Sequence, residues 1–271
     1  MNRREFLLTA GALAAPFGAE GQSTRVPRIG AIIHSGTYAP IVEGLLRGLK
    51  ELGVAEGKDV ALEVFDAKGE VKAIEAAARR FERERVRLIY CTPTSAATAV
   101  KRATTEVPVF FCVGTDPIAV GLVESFAKPG GRLTGVHFLT TDLTAKRPEL
   151  RAALAALKAG DADALFTVSD ALIVSQSQLL IDTAKTLRMP TMVNIGTMVE
   201  RGALVSYGVD LREIGRESAK NVQRMLAGAR PGDLPVETVT RLAFVLNRRT
   251  AQEIGLAVPP AMLVRFDRVI Q

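Results

Sequence analysis

The chain has 271 residues and a formal net charge of +6; 48% of its residues are hydrophobic, but only 5% are aromatic and tryptophan is absent. This length allows one large or two modest domains with a sizeable core. The basic residues are spread along the sequence and are not interleaved with aromatic residues, which argues against nucleic-acid binding and leaves a mild attraction to anionic ligands.

The first residues of the chain have the pattern of an export signal. Arg3 and Arg4 stand before a run of roughly a dozen apolar residues, which is shorter than the ~20 residues of a membrane-spanning helix. The pattern predicts a twin-arginine signal peptide over residues 1–21, cleaved after Gly21 so that the mature chain begins at Gln22. An ordinary Sec signal is the alternative, and either route predicts a periplasmic protein.

From residue 28 onward, short β-rich runs alternate with segments of helical periodicity. The predicted strands are residues 28–33, 59–65, 86–91, 107–113 and 133–137. The predicted helices are residues 39–52, 71–84, 95–104 and 117–127. This alternation predicts a parallel sheet with helices on both faces, in the flavodoxin-like strand order 2-1-3-4-5.

After residue 140 a second, smaller set of elements begins. Its predicted strands are residues 164–168, 191–194, 203–207 and 241–246. Its predicted helices are residues 143–158, 174–187 and 211–226. No low-complexity linker separates the two sets, an arrangement that two lobes joined by several crossings of the chain would explain.

Hydroxyl-bearing residues follow two of the predicted strands. Ser35, Gly36 and Thr37 follow the first strand, and Thr94 and Ser95 follow the third. In a doubly wound sheet, ligands bind at the carboxyl ends of the strands, where the free amides of a helix start can hold an anion. The same residues could serve only as helix caps, and the sequence leaves both interpretations open.

Short stretches along the chain occur in the order of a known family. They are residues 48–53 (GLKELG), 56–58 (EGK), 115–118 (TDPI), 128–135 (KPGGRLTG), 145–147 (AKR), 162–165 (ADAL), 205–208 (VSYG) and 251–256 (AQEIGL). Together they resemble the substrate-binding proteins of ABC transporters, in the family typified by tryptophan- and tyrosine-type uptake systems. The resemblance implies an α/β protein with the type I periplasmic-binding-protein fold, in which two parallel-sheet lobes close on a ligand. It also implies a partner permease and a small-molecule ligand such as an amino acid or a related anion.

The family plan implies where each lobe lies in the sequence. Residues 22–139 with 209–238 would form the first lobe, and residues 140–208 with 239–271 the second. Relatives carry a strand, a helix and a further strand before the ADAL stretch, which this chain lacks. We therefore expect a truncated second lobe with a reduced cleft wall. Either the monomer binds ligand weakly, or self-association across the exposed face compensates for the truncation.

The family plan also implies a set of ligand-binding residues at strand ends in both lobes. They are Ser35, Gly36, Thr37, Thr94, Ser95, Asp116, Asp170, Asn194, Ser206 and Tyr207. For an amino-acid ligand, Thr94 and Ser95 would hold the carboxylate, and Asp116 or Asp170 would hold the ammonium group. The alternative for Asp116 is a helix cap, and the alternative for Tyr207 is a packing role between lobes.

Catalytic and redox chemistry have little support in the sequence. His34 and His137 lie on strands three steps apart in the predicted order, about 14 Å, which is too far for one metal ion. No nucleophile elbow or Walker loop is present, so we expect neither enzyme activity nor a cofactor. A ligand-binding sensory module and, less favoured, an exported enzyme are the alternative functions.

Cys91 and Cys112 are expected as buried free thiols, with a disulfide as the alternative.

Overall fold

The computed structural model describes residues 26–138, 147–167 and 171–271. The strands in these ranges are β1 (Arg28–Ile33), β2 (Ala61–Asp66), β3 (Leu88–Thr92), β4 (Val109–Val113), β5 (Leu133–Phe138), β6 (Leu165–Phe166), β7 (Thr191–Val193), β8 (Val205–Val209), β9 (Glu237–Val239), β10 (Leu242–Asn247) and β11 (Arg268–Ile270). The α-helices are α1 (Ala39–Glu51), α2 (Val71–Arg83), α3 (Thr94–Ala103), α4 (Arg147–Ala156), α5 (Ala171–Ser175), α6 (Ser177–Thr186), α7 (Gly196–Glu200), α8 (Leu211–Leu226), α9 (Arg248–Glu253) and α10 (Pro260–Leu263). Among the described residues, every helix falls short of the length and apolarity that crossing a bilayer requires.

The first sheet is parallel throughout, with the strand order β2-β1-β3-β4-β5-β9. The predicted order 2-1-3-4-5 is therefore confirmed, and β9 extends it by one strand. Every residue of β3, β4 and β5 is buried, because helices cover both faces of the sheet. We call β1–β5 and β9, with α1–α3 and α8, the first lobe.

The second sheet has the order β11-β10-β8-β7-β6. We call these strands, with α4–α7, α9 and α10, the second lobe. Its strand pairs are parallel except that β10 runs antiparallel to β8. This one pair differs from the parallel second sheet that we expected. The direction follows from the connections. The chain leaves the second lobe at the end of β8 and re-enters it at the start of β10, so these two strand ends lie side by side.

Several predicted elements differ from the structure. Residues 117–127 form successive turns instead of a helix, because Gly121 adopts a left-handed conformation with φ of 69°. The predicted helix over 174–187 is divided into α5 and α6 at Gln176. The strands β9 and β11 were not predicted, since three residues are too few to show a period.

Helices α1 and α8 pack with their backbones in near contact. A Cβ atom added to Gly44 would lie 1.9 Å from the carbonyl oxygen of Arg212, and one added to Gly215 would lie 1.8 Å from that of Ile41. Only glycine permits this approach at both positions. The close packing fixes the start of α8, where the chain has just crossed from the second lobe into the first.

The two cysteines are free thiols, as predicted from the sequence, although they lie on adjacent strands. Cys91 pairs in register with Phe111, so Cys112, one residue further along β4, faces the opposite side of the sheet. Burial raises the pKa of both thiols, that of Cys112 to about 12. They are therefore protonated at physiological pH, which makes them poor nucleophiles.

Candidate functional site

The first-lobe half of the candidate site lies where β1 ends. Ser35, Gly36 and Thr37 lead into a single turn of 3-10 helix, in which Gly36 is exposed and Thr37 is buried. Ser35 stands at the cap position, but its hydroxyl makes no capping hydrogen bond. The capping interpretation therefore does not explain this serine.

The loop after β3 is joined to its neighbours by hydroxyl groups. Thr94 Oγ1 donates to Thr115 Oγ1 over 3.1 Å, and Ser95 Oγ lies 3.4 Å from His34 Nδ1. Both residues belong to the first turn of α3, which begins after Pro93 with no side-chain cap. These contacts bring the ends of β1, β3 and β4 together at one edge of the sheet.

Asp116 and His137 lie at the ends of β4 and β5. Asp116 is exposed, and its Oδ1 accepts hydrogen bonds from the backbone N–H groups of Ile118 (2.8 Å) and Ala119 (3.4 Å), so it stabilises the turn. Burial lowers the pKa of His137, although the nearby Asp116 carboxylate acts in the opposite direction. A neutral imidazole therefore lies buried beside this turn at physiological pH.

The second-lobe half of the candidate site lies on β7 and β8. Asn194 follows β7 and is partly buried, and its neighbours on β8 are Ser206 and Tyr207. Ser206 is 1% exposed and faces α7, whereas Tyr207 is 52% exposed and packs edge-on against Phe244 with ring centroids 5.7 Å apart. Successive strand residues point to opposite faces, so Ser206 and Tyr207 do not line one pocket. Asp170 lies outside the described residues.

Buried hydroxyl groups without a hydrogen-bond partner occur in both lobes. Within the described part of the chain they belong to Ser35, Thr92, Thr167, Thr197 and Ser206. Such a group loses its hydration unless water or a ligand binds it. Only Ser35 and Ser206 among them were predicted from the sequence as site residues. Thr92 ends β3 and Thr167 follows β6, a position after an apolar run that is visible in the sequence, whereas Thr197 lies in α7.

A small cavity at the junction is lined by both lobes. Pro40 from the first lobe and Gly196, Thr197, Ser206 and Arg268 from the second lie around it. Its volume is about 20 Å³, which is room for about one water molecule. In this arrangement of the lobes the cavity is too small for an amino acid. Elsewhere in the described residues no group of three His, Cys, Asp or Glu side chains is placed to hold a metal ion.

Comparison with known proteins finds similarity along nearly the whole chain. The family model of the ABC transporter substrate binding protein matches residues 28–150 and 139–270. A tyrosine-binding protein of Clostridioides difficile (strain R20291) is 24% identical over 79% of this chain and 76% of its own length.

Two solved structures share the fold. A conserved domain protein of Vibrio cholerae has a TM-score of 0.78 and 24% identity, with 90% of this chain and 100% of that one covered. A Streptococcus pneumoniae ABC domain in complex with L-Trp has a TM-score of 0.77 and 23% identity, with 90% of this chain and 99% of that one covered.

Proposed function

Because this chain belongs to the family of ABC transporter substrate-binding proteins, we propose that it is the extracytoplasmic receptor of an ABC uptake system. It binds a small molecule between its lobes and presents it to a permease in the cytoplasmic membrane. The observation that carries this proposal is the set of unpartnered buried hydroxyl groups, which occur in both lobes. Those of Ser35, Thr92 and Thr167 lie at or just beyond strand ends, and those of Thr197 and Ser206 lie at the junction cavity. A ligand held between the two sheets would contact the carboxyl ends of their parallel strands.

The proposed ligand is an amino acid. The similar proteins include one named for tyrosine binding and one solved with L-Trp, and both make this class the first to test. Ser35 and Ser95 in the first lobe and Asn194 in the second supply hydrogen-bonding groups for a carboxylate or an amide. Asp170 remains the proposed partner of the ammonium group, because Asp116 Oδ1 is already engaged in its own turn.

Removing one hydroxyl group from the proposed binding site should weaken ligand binding. Native mass spectrometry of the purified protein identifies any co-purified ligand, and calorimetry with that ligand, L-tyrosine and L-tryptophan measures the dissociation constant. Ser35→Ala should raise the dissociation constant by about 2- to 12-fold, the effect of one net hydrogen bond. The control is Thr186→Val, which removes a hydroxyl from the far end of α6 that bonds only to its own helix.

Two results would contradict this assignment. One is a Ser35→Ala variant that binds every ligand as tightly as the parent protein. The other is a Thr186→Val variant that weakens binding as much as Ser35→Ala. If no ligand co-purifies and neither L-tyrosine nor L-tryptophan binds, neither aromatic amino acid is the ligand.

The comparisons support the proposed shortening of the second lobe. The family model matches the chain in two segments that overlap at residues 139–150, close to where the missing segment is expected. The alignment to the tyrosine-binding protein has 263 positions but includes only 79% of the 271 residues of this chain. The other positions of the alignment are residues of that relative that stand opposite gaps in this chain. The division predicted at residues 139, 208 and 238, which falls within one residue of the ends of β5, β8 and β9, and the self-association of the protein are part of the same proposal.

Export by the twin-arginine route is proposed from the paired arginines. Replacing both Arg3 and Arg4 with lysine preserves the charge, but it should leave most of the precursor in the cytoplasm. Cell fractionation measures the distribution, and N-terminal sequencing of the periplasmic form should begin at Gln22. Undiminished export of the double-lysine variant would assign the signal to the Sec route, which tolerates lysine.

A further inference from the structure

A chain of ion pairs crosses the junction between the lobes. Arg212, in the first turn of α8, donates from Nε to Glu43 Oε2 on α1 and from Nη1 to Glu200 Oε1 at the end of α7, both over 3.1 Å. Glu200 Oε1 also contacts Arg268 Nη2 of β11 at 2.8 Å. A single carboxylate of the second lobe is therefore shared between one arginine from each lobe.

The backbone of Arg212 is held in place on the first-lobe side. The carbonyl oxygen of Arg212 is the atom that a side chain at Gly44 would strike, so α1 and α8 are in direct backbone contact there. Asp210 Oδ1 accepts a hydrogen bond from the Arg212 N–H over 2.9 Å and caps the helix. Any rotation of the lobes about the crossing between β8 and α8 must therefore move Glu200 relative to a fixed Arg212.

The electrostatics keep both partners of this pair charged. Burial acts to raise the pKa of Glu200, but Arg268 and Arg212 lower it below its ordinary value. Burial acts to lower the pKa of Arg212, but Glu200 and Glu43 raise it. Side-chain exposure is 44% for Arg212 and 32% for Glu200, so the pair contributes little to the free energy of unfolding. Because the pair joins the two lobes, breaking it should instead change the angle between them.

The packing around the pair leaves room for such a motion. Arg212 and Arg268 both line the junction cavity, into which the unpartnered hydroxyls of Thr197 and Ser206 open. Close-packed apolar side chains would resist a change of angle, because a filled interior deforms little. A polar cavity beside the ion pairs can be hydrated differently at different angles.

We propose that Glu200 and Arg212 form an interlobe latch, which favours one angle between the lobes and so sets how readily the cleft opens. The physical claim concerns lobe geometry, and only its use in ligand uptake rests on the proposed function. The latch acts between the first turn of α8 and the last residue of α7. Breaking it should change the populations of lobe angles while leaving each lobe folded.

Distances between two spin labels measure these populations without any ligand. Labels are placed on Lys72→Cys in α2 and Ala261→Cys in α10, both of which are exposed positions. Cys91 and Cys112 remain in the protein, because their burial and raised pKa values keep them unlabelled, and the parent chain without new cysteines checks this.

Glu200→Gln should change the ratio of the interlobe distance populations by about two- to fivefold, the scale of one partly exposed ion pair. Arg212→Gln should shift it in the same direction, and the double variant should shift no further than Arg212→Gln alone. High salt should reproduce the shift in the parent and have little effect on Glu200→Gln. Circular dichroism verifies that each variant is folded.

Glu253→Gln is the matched control. Glu253 also pairs with two cations, Lys185 and Arg249, but all three residues belong to the second lobe. Its loss should leave the distance distribution unchanged. A Glu200→Gln distribution that superimposes on the parent, or a Glu253→Gln shift of equal size, would overturn the latch. The calorimetric test of ligand binding would be unaffected by either result.

Discussion

Replacing Gly44 with alanine should destabilise the protein by about 3 kcal/mol, at the upper end of the cost of overpacking a close-packed interface. The added Cβ would lie 1.9 Å from the Arg212 carbonyl oxygen, and backbone cannot rotate away as the end of a side chain can. The helices α1 and α8 must therefore separate along their contact. Chemical denaturation measures the free energy of unfolding, and the melting temperature should fall by about 6–12 °C.

Two further glycine variants test whether the loss of stability comes from the close contact between α1 and α8. Gly215→Ala should cost a similar amount, since its Cβ would lie 1.8 Å from the Ile41 carbonyl oxygen on the same helix pair. Gly196→Ala is the control, because the nearest atom to its added Cβ is 3.8 Å away. A Gly44→Ala protein as stable as the Gly196→Ala protein would show that the two helices do not pack backbone to backbone.

Long periodic segments allowed the first lobe to be predicted well from sequence. The helix predicted over residues 211–226 has the bounds of α8, Leu211–Leu226, because its apolar stripe extends over four turns and Asp210 caps its start. The prediction over residues 117–127 was wrong for a local reason. Pro117 and the apolar residues after it are typical of a helix start, but Gly121 ends the helical conformation after one turn.

The candidate site was predictable only in part. Strand order placed Ser35, Thr94 and Ser95 at one edge of the sheet, because the carboxyl ends of parallel strands meet there. The pairing of Ser206 with Tyr207 in one site conflicts with the alternation of strand side chains, which the sequence already contained. The contact between Glu200 and Arg212 was beyond sequence reasoning, since it depends on how the two lobes meet.

The second lobe should open locally more readily than the first. In the first lobe, β3, β4 and β5 are five or six residues long and fully buried. In the second lobe, β6 has two residues and β7 has three, and Phe166 on the edge strand β6 is 62% exposed. Local opening requires less free energy where fewer buried contacts must be broken.

Hydrogen exchange should therefore show amides of residues 165–193 opening at least about 100-fold more readily than those of residues 88–138, a difference of about 2.8 kcal/mol. The measurement is made on a dilute monomer verified by sedimentation, and repeated at high concentration. If a second copy covers the exposed edge of β6, protection there should rise with concentration, and Phe166→Lys should abolish that rise. Equal protection of both lobes in the monomer would contradict the prediction, because it requires the short strands of the second lobe to be packed as completely as those of the first.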